Sequence, residues 1–343
     1  MGARRHRIVF VVNEVMEIAA TQTTAMLMRS AAAAGHPVLV AGVLDLSARG
    51  DGLVSVTASD VDGACAGTCA ELVAALGAAS RHRRIELSSR DIVMLRTNPA
   101  RDRARAWAHE LLLGFARLAQ ERGTCVINDP DGLARSSSKL FLLSLLPREL
   151  APASLVTRSA ADVAAFAAAV GGAVVVKPAR GTRGRNVQLL RAPDIAPARA
   201  ALAPIAVDDY ALVQEYLPQA VDGDVRVVVL DGAVLEVAGR VAAIRRIPAP
   251  GDFRSNLHAG GTAAPATVSG AMRQAANAIA QKLQNEGVYL AGIDFVGEKV
   301  VEVNTFSTGG LRDAERFCGV DFCSGIIAAA VRRAEEVRSR CKV

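Results

Sequence analysis

The chain has 343 residues, 51% apolar and 22% charged, which is the composition of a globular protein with room for two or three domains. Its formal net charge of +6 is spread along the sequence without a basic run, which argues against a tail for nucleic acid or membrane surfaces. The longest apolar run, residues 163–176, is shorter than the roughly 20 residues of a membrane-spanning helix.

The first third of the chain alternates strand-like apolar runs with helical stretches. Strands are predicted at 8–12, 37–43, 92–95 and 124–127, and helices at 23–34 and 104–121. Gly35 and Gly123 follow the two helices as stop signals. This β-α-β order predicts a mostly parallel sheet. Residues 46–90 are rich in Gly, Ala and Ser and give no clear pattern.

Two further units follow the turn residues near 128–130. The second is predicted to contain a helix over 135–146, a strand at 153–156, a helix at 159–170 and strands at 173–176 and 187–190, the last two joined by a basic glycine loop. The third is predicted to contain strands at 210–215, 224–230 and 233–239, a helix at 271–286, a hairpin over 289–303 and a helix over 324–338. The predicted domains are therefore 1–128, 129–209 and 210–343.

The hairpin over 289–303 carries paired acidic residues. If Val296 pairs with Val300, Asp294 lies opposite Glu302, and alternation puts Asn304 on the same face. The other face, predicted to be buried, holds Ile293, Phe295, Val301 and Val303. Facing carboxylates repel, and a divalent cation removes that cost. The set predicts a site for Mg²⁺, or Mn²⁺ in its place; the alternative is an exposed acidic face with a slipped register.

Lysine is rare in this chain, since only five of the 40 basic residues are Lys. Lys177 ends an apolar strand and precedes a glycine loop that includes Gly181 and Gly184. Such a loop can approach phosphate closely, although no GK[ST] follows as in a Walker A loop. Lys139 lies on the predicted helix over 135–146. The alternatives are a plain surface turn and a solvated helix lysine.

Several arginines could meet carboxylate or phosphoryl oxygens. Arg226 shares a strand face with Asp224, and Arg246 and Arg254 flank a Pro- and Gly-rich turn that leads to Asn256. Guanidinium forks suit such planar anions. For each arginine taken separately, a surface salt bridge is the ordinary alternative.

The order of these motifs resembles that of the bacterial glutathione synthetase branch of the ATP-grasp superfamily. The match runs from about residue 124 to 325 and includes Lys139, Lys177 with its glycine loop, 214–218, 223–226, 246–248, 254–256, 260–261, 292–294 and 302–304. The resemblance implies an α/β fold, α+β in part. It implies an ATP-grasp architecture with an N-terminal parallel-sheet domain and two α+β subdomains that clasp ATP.

The resemblance also implies a role for each matching residue. ATP would be bound by Lys139, Lys177, Gly181, Gly184, Gln214, Glu215, Tyr216, Leu217 and Asp224, the lysines and glycines at the phosphates and 214–217 at the adenine and ribose. Magnesium would be held by Asp294, Glu302 and Asn304. The acyl donor and the transferred phosphoryl group would be oriented by Arg226, Arg246, Arg254 and Asn256.

The activity that the resemblance implies is ATP-dependent ligation of a carboxylate to an amine through an acyl phosphate, with γ-glutamylcysteine and glycine as substrates. The chain departs from the family pattern at Asn13-Glu14, in the stretch between Arg96 and Asp102, which themselves match it, in the turn 305–310, and at Arg183 and Arg185 of the glycine loop. These departures motivate a first alternative, a ligase for a different amino acid or peptide pair. A second is a nucleotide-binding regulator without catalysis.

The remaining expectations concern location and partners. The cysteines Cys65, Cys69, Cys125, Cys318, Cys323 and Cys341 form no CxxC pair and no zinc-ligand spacing with His, and no signal-peptide pattern opens the sequence. We therefore expect a reduced, cytoplasmic protein that takes small-molecule or short-peptide substrates and binds neither nucleic acid nor membranes. The family resemblance implies a homo-oligomer, a dimer or a tetramer.

Overall fold

The computed structural model describes residues 5–61, 67–78, 82–191, 193–256 and 260–340, so Cys65 and Cys341 lie outside the described residues. The first of three large sheets has seven strands: β1 (Arg7–Val12), β2 (Val38–Gly42), β3 (Leu46–Ala48), β4 (Val54–Asp60), β5 (His82–Glu86), β6 (Asp91–Leu95) and β7 (Cys125–Ile127). β2, β1, β6 and β7 are parallel neighbours, which confirms the predicted parallel arrangement. They are almost fully buried because both faces of the sheet are covered.

Three helices accompany this sheet: α1 (Thr23–Ala33), α2 (Cys69–Ala78) and α3 (Ala106–Glu121). The stretch 46–90, which gave no pattern, contains β3, β4, β5 and α2, and the three strands pair antiparallel at one edge. β5 reads His-Arg-Arg-Ile-Glu and only Ile85 is buried. An edge strand of this kind has too few apolar residues for the alternation that identifies a strand.

Two short helices, α4 (Pro130–Arg135) and α5 (Phe141–Leu145), replace the continuous helix predicted over 135–146. That prediction is wrong because three serines interrupt the helix between them. The Ser136 hydroxyl donates back to the Gly132 carbonyl at 2.7 Å, and serine side chains compete with helical hydrogen bonds in this way. Lys139 consequently lies in the turn between the two helices.

The second sheet is antiparallel and contains β8 (Ser154–Thr157), β9 (Val174–Pro178), β10 (Gln188–Leu190) and β11 (Ala211–Glu215), in the order β10-β9-β11-β8. Its helices are α6 (Ala160–Ala169) and α7 (Ile195–Leu202). The Ser159 hydroxyl caps α6 by accepting from Asp162 N. β11, which the sequence analysis assigned to the third unit, pairs with β8 and β9 instead.

The third sheet contains β12 (Asp224–Leu230), β13 (Ala233–Val234), β16 (Ala243–Ile247), β17 (Thr262–Pro265), β18 (Leu290–Val296) and β19 (Lys299–Asn304). β14 (Glu236–Val237) and β15 (Arg240–Val241) form a separate hairpin, so the single strand predicted over 233–239 is wrong. Ala238 and Gly239 have φ angles of 49° and 73° and turn the chain there. The helices of this part are α8 (Gly270–Asn285), α9 (Leu311–Cys318) and α10 (Phe322–Arg340).

Asn128, at the end of β7, joins the first sheet to the third. Its Nδ2 donates to the carbonyls of Leu290 (2.9 Å) and Thr305 (2.8 Å), and its Oδ1 accepts from the amides of Tyr289 and Leu290 at 2.8 Å each. The side chain is buried, so all four bonds are shielded from water. This junction sets the carboxyl ends of β1 and β6 beside the β18–β19 hairpin.

Candidate active site

A cavity of about 820 Å³ opens where the three sheets meet, and it is lined by every residue that the sequence analysis assigned to the site. A second cavity of about 440 Å³ adjoins it and shares Lys139, Gly181 and Asn304 as walls. The residues are thus brought together in space, while their roles remain predictions.

The β18–β19 hairpin brings the predicted metal ligands together. Asp294 lies directly opposite Glu302, and Gly292 lies opposite Asn304, so the three polar side chains share one face. All three residues line the larger cavity. The predicted opposition of the two carboxylates is confirmed.

The register that produces this opposition differs from the expected one. Val296 pairs with Lys299 and Phe295 with Val300, and a β-bulge lies between these pairs and the Asp294–Glu302 pair. Val300 is fully buried beside Phe295, whereas Val301 is half-buried and borders the cavity. The predicted pairing of Val296 with Val300, and the core position for Val301, are therefore wrong.

Asp294 is fully buried and accepts four hydrogen bonds. Arg226 donates to both carboxylate oxygens at 2.7 Å, Arg246 donates to Oδ2 at 2.7 Å, and Asn304 Nδ2 donates to Oδ2 at 3.1 Å. Burial by itself raises the pKa of this carboxyl, but the two guanidinium groups outweigh burial and hold the pKa below its usual range. Asp294 is therefore ionised at neutral pH.

Arg246 bridges two carboxylates. Its Nε and Nη2 donate to Asp224 at 2.6 and 2.7 Å, and the same Nη2 reaches Asp294. Burial lowers the pKa of Arg246, and the two carboxylates more than reverse that effect and raise it. The Ser255 hydroxyl also donates to Asp224. Asp224, predicted to lie near the nucleotide, thus contacts Arg246 and Ser255 on the cavity wall.

The two lysines approach the hairpin from the second sheet and the α4–α5 turn. Lys139 Nζ lies 2.7 Å from the Gly181 carbonyl and 3.3 Å from Glu302 Oε1. Lys177 Nζ donates to the carbonyl of Val301, the residue beside the bulge that borders the cavity, at 3.1 Å. The side chains therefore converge on the strand that carries Glu302.

Burial acts on the charges of Lys177 and Glu302. It lowers the pKa of Lys177 to about 8, with Glu302 acting in the opposite direction. Burial raises the pKa of Glu302, but the positive charges of Lys139, Lys177 and Arg226 together outweigh it and the net shift is downward. Glu302 is ionised, whereas Lys177 loses its proton near pH 8.

The glycine loop contacts a second loop from the third sheet. Gly184 has a φ of 70°, and a Cβ atom there would lie 2.9 Å from Asn256 Oδ1. Arg254 Nη1 donates to the Gly184 carbonyl at 3.4 Å while its Nη2 pairs with Asp252 at 2.8 Å. The two loops meet beside the cavity, and the close approach requires a residue without a side chain.

Residues 214–217 form a wall of the cavity. The Gln214 amide donates to the Ser154 hydroxyl at 3.1 Å, and one Glu215 oxygen accepts from the Ala153 amide at 3.0 Å. The side-chain contacts of Gln214 and Glu215 therefore secure the chain that leaves β11. Tyr216 and Leu217, which follow, also line the cavity.

The carboxyl end of β6 contributes a buried cation that the sequence analysis did not assign to the site. Arg96 is 7% exposed, donates to the Thr308 carbonyl at 2.9 Å and to the Thr24 hydroxyl at 3.3 Å, and has no carboxylate partner among the described residues. Burial lowers its pKa to about 10. The Thr308 hydroxyl is also buried without a hydrogen-bond partner in the described part. A lone Arg at the end of a parallel strand is the signal that could have identified it.

The stretch after Arg96 is held by the loop after β1. Asn13 Nδ2 donates to the Asn98 carbonyl at 3.0 Å, and the Asn98 amide donates to Asn13 Oδ1 at 2.7 Å. Glu14 pairs with Arg105 at 3.2 Å. Asn13 and Asn98, two residues at which the chain departs from the family pattern, therefore contact each other.

The hairpin offers oxygen ligands that suit a hard cation. Within the described residues there is no group of three or more His, Cys, Asp or Glu side chains that could hold a metal ion, so a metal here needs the Asn304 amide as a third ligand. In the described contacts, Glu302 Oε2 and Asn304 Oδ1 accept no hydrogen bond, and Asp294 Oδ1 accepts only one. These open oxygens fit Mg²⁺.

No helix in the described part of the chain is long and apolar enough to cross a membrane.

Comparisons with known proteins agree with this architecture. The model of the prokaryotic glutathione synthetase ATP-grasp domain matches residues 138–319, and that of the N-terminal domain matches 7–134. A glutathione synthetase of Prochlorococcus marinus is 32% identical over 312 residues, 90% of this chain and 93% of the relative. One from Vibrio vulnificus is 31% identical over 252 residues, 73% and 75% of the two chains. The solved structure of the ATP-grasp ligase PsnB, in complex with a precursor variant, Mg and ADP, is 20% identical, covers 96% of this chain and 99% of its own, and has a TM-score of 0.60.

Proposed function

Because this chain belongs to the prokaryotic glutathione synthetase family and is an ATP-dependent ligase that forms an amide bond, we propose that it joins γ-glutamylcysteine to glycine. The products are glutathione, ADP and phosphate. The observation that carries the proposal is the convergence of two facing carboxylates, Asp294 and Glu302, with Lys139 and Lys177 in one cavity.

ATP lies in the cavity between the second and third sheets. Lys139 and Lys177 bind its phosphates, and the loop with Gly181 and Gly184 covers them. The adenine and ribose lie against residues 214–217. Support for this placement comes from the position of both lysines beside Glu302, because phosphate-bound metal and cations must lie close together.

Asp294, Glu302 and Asn304 would hold Mg²⁺, which would offset the negative charge of the ATP phosphates when bound. Arg226 and Arg246 orient the Asp294 carboxylate through three hydrogen bonds of 2.7 Å. Together with Arg254 and Asn256 they also face the donor carboxylate and the transferred phosphoryl group. Their contribution is electrostatic, since they need not move as charge develops.

The reaction has two steps and needs no enzyme nucleophile. The donor carboxylate oxygen attacks the γ-phosphorus, the bond to the β–γ bridging oxygen breaks, and ADP leaves an acyl phosphate behind. The lone pair of the acceptor amine then attacks the acyl carbon, the bond to the phosphate oxygen breaks, and the amine proton passes to the departing phosphate. Contact between the glycine loop and the Arg254–Asn256 segment limits access of water to the acyl phosphate.

Substrate carboxylate is also expected at the end of β6. Arg96 is buried and unpaired among the described residues, and an uncompensated buried charge is costly. A carboxylate of the donor or acceptor at this point removes that cost. Arg96 therefore supports binding of an acidic substrate beside the first sheet.

The second candidate is a ligase of the same mechanism for a different amino acid or peptide pair. The observation that favours it is the altered wall of the cavity, where Asn13 and Asn98 bond to each other and Glu14 pairs with Arg105 in place of the family pattern. Such changes alter the substrates and leave the ATP chemistry intact.

The test is incubation of the purified protein with Mg·ATP, γ-glutamylcysteine and glycine, followed by ADP measurement and mass spectrometry of the products. We expect glutathione to form in step with ADP. Formation of ADP only with another donor or acceptor from a panel would favour the second candidate. Binding of Mg·ATP without ADP release for any pair would contradict both.

A further inference from the structure

Two arginines at the N-terminal end of the cavity differ from Arg226, Arg246 and Arg254, which also line it. Arg226, Arg246 and Arg254 each donate to a carboxylate of the protein. Arg101 and Arg183 line the same cavity but form neither an ion pair nor a side-chain hydrogen bond with the residues that the structure describes. This end of the cavity therefore carries uncompensated positive charge.

The two arginines come from different parts of the chain and face a common space. Arg101 ends the short 3₁₀ helix Pro99–Arg101 that follows β6, and Arg183 lies in the glycine loop after β9. Burial and the charge of Arg101 lower the pKa of Arg183, whereas Glu17 acts in the opposite direction. Two guanidinium groups repel each other, and an anion between them removes the repulsion.

The backbone at Arg183 is unfavourable for an arginine. Its φ is 60°, in the left-handed region, where Gly or Asn is tolerated more easily than a long side chain. The chain nevertheless carries a long cationic side chain there. A loop that only turns the chain would be more stable with Gly at this position. The presence of the arginine side chain therefore needs a functional reason.

The charged groups near Arg183 differ from those near Lys177, which is proposed to bind the ATP phosphates. The charges that act on Arg183 are those of Arg101 and Glu17, whereas those that act on Lys177 are Glu302, Lys139 and Asp294. Arg183 thus lies near Arg101 and Glu17, which belong to the N-terminal part of the chain and line the same cavity. An anion at this position belongs to a substrate rather than to the ATP phosphates.

We propose that Arg101 and Arg183 together bind a non-reacting carboxylate of a substrate and so make the ligase selective for a doubly anionic donor or for an acidic acceptor. The inference rests on the proposed function. In γ-glutamylcysteine the group is the glutamyl α-carboxylate, and in glycine it is the carboxylate. Both sources share one chemistry, and guanidinium forks recognise it through paired hydrogen bonds.

The test compares the wild type with an Arg101→Gln/Arg183→Gln double variant on substrates with and without the carboxylate. The donor arm replaces γ-glutamylcysteine by its glutamyl α-carboxamide, and the acceptor arm replaces glycine by glycinamide. In one arm we expect the wild type to lose about tenfold or more in kcat/KM, and the double variant to treat acid and amide alike. The arm that responds identifies the source.

Two further variants sharpen the result. Arg199→Gln removes one positive charge from the exposed face of α7, outside the cavity, and is expected to discriminate as the wild type does. Arg183→Lys keeps a charge and is expected to restore part of the discrimination that Arg183→Gln loses.

Each outcome bears on one claim. Unchanged discrimination in the double variant overturns the inference, and so does an effect confined to the KM for ATP. Absence of ADP release by the wild type with every pair overturns the proposed function and the inference with it.

Discussion

At the scale of single residues, the charge of Asp294 balances two arginines, Arg246, which is buried, and Arg226, which is half-buried. Arg226 and Arg246 each donate a hydrogen bond of 2.7 Å to its carboxylate. Arg246 also forms an ion pair with Asp224, whereas Arg226 does not. Glu302 has fewer ion pairs than Asp294, because among the described residues its carboxylate pairs with Lys139 alone, at 3.3 Å. The two predicted metal ligands therefore differ in what they contribute to stability.

We expect Asp294→Asn and Glu302→Gln each to reduce ADP formation by at least about 100-fold, since both remove charge from the proposed metal site. Only Asp294→Asn should also lower the free energy of unfolding, by about 3 kcal/mol, because it leaves Arg226 without a carboxylate. ADP release and urea unfolding of both variants test this. Near-normal turnover in either variant would rule out the hairpin as the metal site, and equal stability would contradict the account of Asp294.

Lys177 gives the site a dependence on pH. Its pKa of about 8 means that the free protein loses this charge as pH rises through 8, and bound phosphate must restore the proton. The dissociation constant for ATP should therefore rise above pH 8, by up to about tenfold per pH unit. Calorimetric titration between pH 7 and 9.5 measures it. Lys177→Met should bind weakly with little dependence on pH over that range, and a slope like that of the wild type would assign the effect to another group.

At the scale of elements, the hairpin shows where the alternation of side chains between the two faces of a strand predicts the structure and where it fails. The two-residue period put Asp294 and Glu302 opposite each other, and it failed at Val301 because a bulge adds a residue that no local pattern announces. The α4–α5 break has a similar cause. Apolar spacing favoured one helix, but the hydroxyl of Ser136 makes its own hydrogen bond to the backbone.

The glycine loop depends on Gly184 for its approach to the Arg254–Asn256 segment. We expect Gly184→Ala to raise the KM for ATP several-fold, because its Cβ would lie 2.9 Å from Asn256 Oδ1. Gly171→Ala is the matched control, since Gly171 has a φ of 91° and open space around it. Both variants should lose about 1 kcal/mol of stability from the left-handed backbone, and steady-state kinetics should separate them. An equal KM in the two variants would show that the contact has no part in nucleotide binding.

At the scale of the whole molecule, the sequence indicated the β-α-β order of the first sheet but not how the sheets are assembled. β11 lies in the middle of the second sheet between β9 and β8, a placement decided by partners about 35 and 55 residues away. No local pattern carries such information. The limits of the three domains and the oligomeric state remain predictions.

Assembly of the first and third sheets depends on Asn128, whose side chain makes four hydrogen bonds of 2.8–2.9 Å to the backbone of Tyr289, Leu290 and Thr305. Thr305 directly follows Asn304, so the junction also fixes the end of the metal-binding strand. We expect Asn128→Ala to lower the free energy of unfolding by about 3 kcal/mol or more, since it deprives several buried backbone groups of a partner. Turnover should fall as well.

The control for this variant is Asn277→Ala, which removes one hydrogen bond of 2.8 Å, from the Val234 amide of the third sheet to a half-buried side chain of α8. It should cost about 1 kcal/mol and leave ADP formation unchanged. Urea unfolding and ADP release under saturating substrates measure both effects. Equal losses of stability would mean that Asn128 contributes no more than a single hydrogen bond. Full turnover in Asn128→Ala would mean that the β18–β19 hairpin keeps its position beside β6 without this junction.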